Sequence, residues 1–138
     1  VNTRLQEYQI PIETIHDGSF LSPEVLSVPL NSFADEPFII LRSDNDTGKR
    51  ALTICQENNF TPHTIFRLDQ QMTAYNIACS GMGITFIGDL LLASAPATSE
   101  LIFYKLPGKT CNRNVSFYWK KGRYISRAME EFLKIFLP

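Results

Sequence analysis

Residues 69–88, DQQMTAYNIACSGMGITFIG, change their hydrophobic period part-way along, and that change restricts the chain more than any other feature. Met72, Tyr75, Ala78, Cys79 and Met82 recur three or four residues apart, the spacing of one helical face. Asp69 is expected to cap this helix, with Gln70 and Gln71 in its first turn. Ser80 and Gly81 end it, because glycine adopts the left-handed conformation that a C-terminal cap uses. After Gly83 the residues Ile84, Thr85, Phe86 and Ile87 form an apolar, partly β-branched run of strand length. The unit reads as helix, tight turn and buried strand, with Gly83 marking a close backbone approach.

The remaining elements alternate in the same way. Pro11, Gly18, Pro23 and Pro29 interrupt residues 1–31, which read as a long surface connection holding at most a short helix over residues 2–8. Residues 31–37 make a turn ending at Pro37. Phe38, Ile39, Ile40 and Leu41 are continuously apolar, as in a strand buried on both faces. Residues 42–48 contain Asp44, Asp46 and Gly48 but miss the calcium-loop spacing: with Asp44 first, glycine falls fifth and Cys55 stands twelfth, where a glutamate is needed. They read instead as a turn and helix cap, leading to a helix with Ala51, Ile54, Cys55 and Asn58 on one face and ended by Asn58 and Asn59. Residues 63–68 alternate as a strand, with His63 at its exposed start. Asp89 is expected to cap a short helix, residues 101–106 to form a strand, and residues 114–120 a half-buried strand through Val115, Phe117 and Trp119. Ile125, Met129, Phe132, Leu133 and Phe136 form the stripe of a final amphipathic helix, with Ser126 as its cap.

Composition narrows the function classes. A net charge of -1 and a pI near 6.1 give no electrostatic footprint for nucleic acid. No apolar run is long enough to span a bilayer, and no signal peptide starts at Val1. The chain starts at valine and so reads as a fragment of something longer. Cys55, Cys79 and Cys111 are three and scattered, which fits a reducing compartment better than a disulfide framework. The two histidines, with no G-x-S-x-G or H-E-x-x-H motif, assemble no catalytic machinery and no metal set.

Five motifs in order resemble the C-terminal effector-sensing domain of the LysR-type transcriptional regulators. Val28, Pro29, Leu30 and Phe33, then Glu36, Pro37, Phe38 and Ile39, follow the family's V-P-L-x-x-F and E-P-F-I segments. Phe60 and Pro62 match its aromatic-x-P before a strand. Residues 77–88 follow its V-x-x-G-x-G-I-x-x-h-P segment, with Gly88 in place of the final proline. Residues 117–126 and the Phe132, Leu133 pair match its final strand, basic turn and helix.

The resemblance implies an α/β fold, one lobe of a periplasmic-binding-protein-like (type 2) sensing domain with its sheet flanked by helices. Residues 1–121 would be the second lobe, residues 1–31 being the irregular segment that leads into it. Residues 122–138 would be the C-terminal helix, which in the family packs on a first lobe absent from this chain. Its apolar face is expected to fold back on the lobe or bury against another copy. The function implied is effector sensing and oligomerisation: a small molecule bound in an inter-lobe cleft controls DNA binding by a winged helix-turn-helix absent from the chain. Partners would be that effector and a homodimer or tetramer, with no membrane, no cofactor and a cytoplasmic location. Effector-binding candidates come from the loops at the carboxyl ends of two strands: Arg42 and Ser43 from the first, Asp69, Gln70, Gln71 and Thr73 from the second. Asp69 at the helix start argues against an anion there. The rival readings are a lobe of a solute-binding protein and a non-catalytic domain of an α/β enzyme.

Overall fold

In the computed structural model, residues 3–95, 98, 100–114, 116, 118–136 are described. The centre of the molecule is β2 (Pro37–Leu41), whose last four residues are buried. It lies in the middle of a parallel sheet of order β3-β2-β4, between β3 (His63–Leu68) and β4 (Ile84–Thr85). The pleat sends alternate side chains to opposite faces. Phe38 and Ile40 pack with Ala51 of α2 (Asp46–Glu57), while Ile39 and Leu41 pack with Ala74 and Ala78 of α3 (Gln71–Cys79). Burial on both faces is the reason for an apolar run without alternation.

Two glycines allow this packing. A Cβ on Gly83 would lie 2.6 Å from the Pro37 carbonyl oxygen, which is the close approach expected from the sequence. Gly48, in the first turn of α2, abuts the backbone of Leu41 and Arg42 in the same way. Gly81 ends α3 with φ of 78°, and Asn59 follows α2 with φ of 62°, so both helix stops are where the sequence puts them.

Within residues 3–31 the short helix expected over residues 2–8 is a 3-10 turn (Thr3–Tyr8), but β1 (Gln9–Ile10) and α1 (Ile12–His16) follow it where only a surface connection is expected. Strand β1 pairs antiparallel with β5 (Phe103–Tyr104), and Leu5, Ile15, Val28 and Leu30 are buried. Ile15 joins Tyr75 of α3 and Leu92 of α4 (Asp89–Leu92) in a second core beyond α3. The Val28 amide donates to the Lys105 carbonyl at 2.8 Å, and Lys105 Nζ donates to the Ser22 carbonyl at 2.8 Å. Prolines mask this pairing in the sequence, and a two-residue strand leaves no period to detect.

Other expectations shorten or fail. Met82 lies beyond α3 and is half-exposed, because Gly81 turns the chain before the face reaches it. Strand β4 pairs only at Ile84 and Thr85, since Phe86 leaves the ladder to stack on Phe38. Gly88, not Asp89, holds the N-cap position of α4, and Asp89 Oδ1 accepts from the adjacent Leu90 amide. In the segment expected as a strand over residues 114–120, Val115 and Phe117 lie outside the described residues. The others are not in a strand, and Tyr118 is 91% exposed. The final helix α5 (Arg127–Phe136) forms, with the Met129 amide donating to Ser126 Oγ at 3.3 Å as a cap. None of its described residues is buried, so of the two expected fates of its apolar stripe, folding back on the lobe is not the one seen. Among the described residues, no helix is long and apolar enough to cross a membrane.

The Cys55 thiol sits fully buried in the α2 core with Leu30 and Ile54, and that burial pushes its pKa up to about 11. The sign follows directly: a thiol whose folded pKa lies above its unfolded one contributes stability at neutral pH. That contribution is lost as pH rises from about 9 through about 11. Urea titrations across this range should therefore show a falling midpoint, and the fall should flatten in Cys55→Ala. An equal alkaline loss in the variant would assign the effect to other groups.

Candidate functional site

Because the three strands are parallel, their carboxyl ends share one edge, and the chain leaves β2 for one face of the sheet and β3 for the other. Loops that diverge this way open a crevice between them. The Arg42 amide donates to the Leu68 carbonyl at 2.8 Å, continuing the β2–β3 ladder into the loops and holding them together.

The sequence candidates from the two loops meet here in part. Arg42 Nε lies 3.7 Å from Asp44 and 3.6 Å from Asp69, one guanidinium bridging a carboxylate from each loop. All three side chains are more than half exposed, so the pairs contribute little to stability and leave Arg42 able to move. Asp69, Gln70 and Thr73 line an open recess of about 250 Å³ with Arg67 and Leu68. Ser43 is exposed, and Gln71 is half-buried in the first turn of α3; neither lines the recess.

Asp69 does not cap α3. Gln70 holds the N-cap position in an extended conformation and makes no side-chain capping bond, while Asp69 turns to Arg42. The ion pair thus removes Asp69 from the helix terminus, and α3 presents its first amides without a side-chain acceptor. At α2 the cap is Asn45, whose Oδ1 accepts from the Gly48 amide at 2.8 Å. The residues 42–48 therefore act as turn and cap, as their spacing implies.

Sequence reasoning missed Arg67. Strand alternation could have found it: Phe66 and Leu68 pack under α3, which leaves Arg67 on the opposite pleat at the end of the strand. A register slip in β2–β3 between Phe38 and Ile39 sets this phase, and no local sequence signal announces it.

A parallel α/β sheet with a loop crevice at its carboxyl edge defines a ligand-binding class of domain. The chain belongs to the LysR substrate binding domain family, whose model matches residues 20–138. That domain has the periplasmic-binding-protein-like type 2 fold, and the family serves transcriptional regulators, not enzymes. Two relatives in Bacillus subtilis (strain 168) are similar to it. One, the uncharacterized HTH-type transcriptional regulator YcgK, is 25% identical over 78% of this chain and 32% of its own length. The other, the uncharacterized HTH-type transcriptional regulator YybE, is 26% identical over 77% of this chain and 35% of its own length. The chain thus spans about a third of each relative's length. No solved structure matches it.

Proposed function

We propose that the chain is the second lobe of the effector-sensing domain of a LysR-type regulator, and that a small molecule binds at the carboxyl edge of its sheet. The observation that supports this most is the meeting of the β2 and β3 loops around Arg42 and Asp69, in a chain of this family. Arg42, Asp69, Gln70 and Thr73 contact the effector in this reading. Ser43 and Gln71 come into reach when a facing lobe closes over the edge.

Sensing is a coupling free energy: the effector binds one arrangement of the lobes better than the other, and so shifts the regulator between states. DNA binding lies with a winged helix-turn-helix outside this chain, consistent with the net charge of -1 here. Residues 1–121 form the lobe, and residues 122–138 supply the helix that packs on the first lobe. The half-exposed Met129, Phe132 and Phe136 of α5 fit such a docking role. The regulator works in the cytoplasm as a homodimer or tetramer.

The coding sequence upstream of Val1 tests this reading. A winged helix-turn-helix, a linker helix and a first α/β lobe are expected there. A secretory leader or a catalytic domain would overturn it in favour of a solute-binding protein or an enzyme.

A further inference from the structure

The net charge of -1 is an average over two unlike parts of the chain. Residues 1–100 hold five lysines and arginines against twelve aspartates and glutamates. Between Glu100 and Glu130 the balance reverses: seven lysines and arginines, and not one acidic residue. Four of the seven lie around the start of α5. The Arg123 amide donates to the Lys120 carbonyl at 3.1 Å, and Gly122 takes a φ of 78°, so residues 120–123 form a tight turn. Lys120, Lys121 and Arg123 stand on that turn, and Arg127 opens the helix that follows it. All four are exposed, and among the described residues none has an ion pair. Tyr118 and Tyr124, 91% and 83% exposed, flank the turn with hydroxyls that can donate.

We propose that the segment from Lys120 to Arg127 contacts the phosphate backbone of duplex DNA, independently of base sequence. Uncompensated cations gathered at one turn fit a polyanion, and a domain that serves transcriptional regulators works beside duplex DNA. The inference goes beyond the sensor reading: base recognition stays with the winged helix-turn-helix, and this turn adds phosphate contacts that position the lobe. It is compatible with docking of α5 through Met129, Phe132 and Phe136, because a lysine or arginine is costly to bury without a carboxylate and so stays in water when the apolar stripe is covered. Each cation releases counterions condensed on the duplex, so the contact is strongest at low salt. The acidic remainder of the chain is repelled by DNA, which orients the lobe with this turn toward the duplex.

Fluorescence anisotropy of two labelled duplexes of unrelated sequence, titrated with the 138-residue chain over a salt series, tests this. Both duplexes should bind alike, with log Kobs falling against log salt at a slope of about -3. Lys121→Gln should reduce the magnitude of that slope by about 1. The double reversal of Lys120→Glu with Lys121→Glu should weaken binding at low salt by about tenfold or more. Lys49→Gln, which removes an exposed cation on α2 outside the turn, should leave affinity and slope unchanged. Every substituted position is exposed, so urea midpoints should stay at the wild-type value, and a loss of binding is then not a loss of fold. No binding at low salt, a slope near zero, or an equal loss in Lys49→Gln would overturn the inference. Binding to phosphatidylserine vesicles with none to DNA would overturn it in favour of a lipid surface. Self-association abolished by the double reversal, again with no DNA binding, would overturn it in favour of a second copy. The sensor reading is tested separately, by the sequence upstream of Val1.

Discussion

Gly48→Ala is expected to prevent stable folding. The Cβ it adds would lie 2.6 Å from the Leu41 carbonyl oxygen, 2.7 Å from the Arg42 carbonyl carbon, and closer still to the Arg42 oxygen. These are backbone atoms at the end of the central strand, so no side chain can rotate aside. Relief requires α2 to move away from β2, which would open the contacts of Ala51 with Phe38 and Ile40. It would also strain the Asn45 cap, whose acceptor is tied to the Gly48 amide. The expected loss is about 3 kcal/mol or more, at or above the top of the usual overpacking range because the wall is backbone. Urea denaturation of the variant measures it, together with its soluble yield. A loss below about 1 kcal/mol would mean that α2 is not seated on the strand end as described.

Phe38→Ala should cost about 3–5 kcal/mol. Phe38 is 1% exposed and lies between two aromatic rings, Phe60 and Phe86, each with its centroid 5.9 Å away. Its removal leaves a cavity under α2 that Ala51 and Ile40 cannot fill, and it unseats Phe86, which carries the chain out of β4. Phe38→Leu keeps most of the volume and should lose about 1.5 kcal/mol or less if repacking succeeds. Thermal or urea unfolding of the pair resolves the two contributions. Equal losses in both variants would place the cost in the lost ring contacts instead of the cavity.

How far the sequence reached depends on the range over which each signal acts. The continuous run of Phe38, Ile39, Ile40 and Leu41, the stop at Gly81 and the cap at Ser126 were legible, because each is decided within a few residues. Pairing over two residues was not: β1 with β5 joins positions 9 and 104, and neither strand has a period of its own. The strand expected from the alternation of residues 114–120 is absent from its described residues, since alternation stabilises a strand only where a neighbouring strand accepts its hydrogen bonds. Of the candidate residues, Arg42 meets Asp69 across the two loops and Asp69, Gln70 and Thr73 line one recess, but their grouping differs from what the sequence suggests. Asp69 binds Arg42 and does not cap its own helix. A charge partner twenty-seven residues away in sequence competes with the local cap, and only the parallel pairing of β2 with β3 brings it near.

The amino-acid order by itself determined the alternation of helix and strand, the burial of β2 on both faces and the family of the domain. These follow from hydrophobic period, glycine position and motif order, which are local properties. Tertiary structure alone decided the register of β3 on β2, that Arg42 meets Asp69 as well as Asp44, and that Leu5, Ile15, Val28 and Leu30 join the core. The physical reason is that strand register, side-chain ion pairs and two-residue pairings gain their energy from partners distant in sequence, so nothing near them in the chain records the outcome.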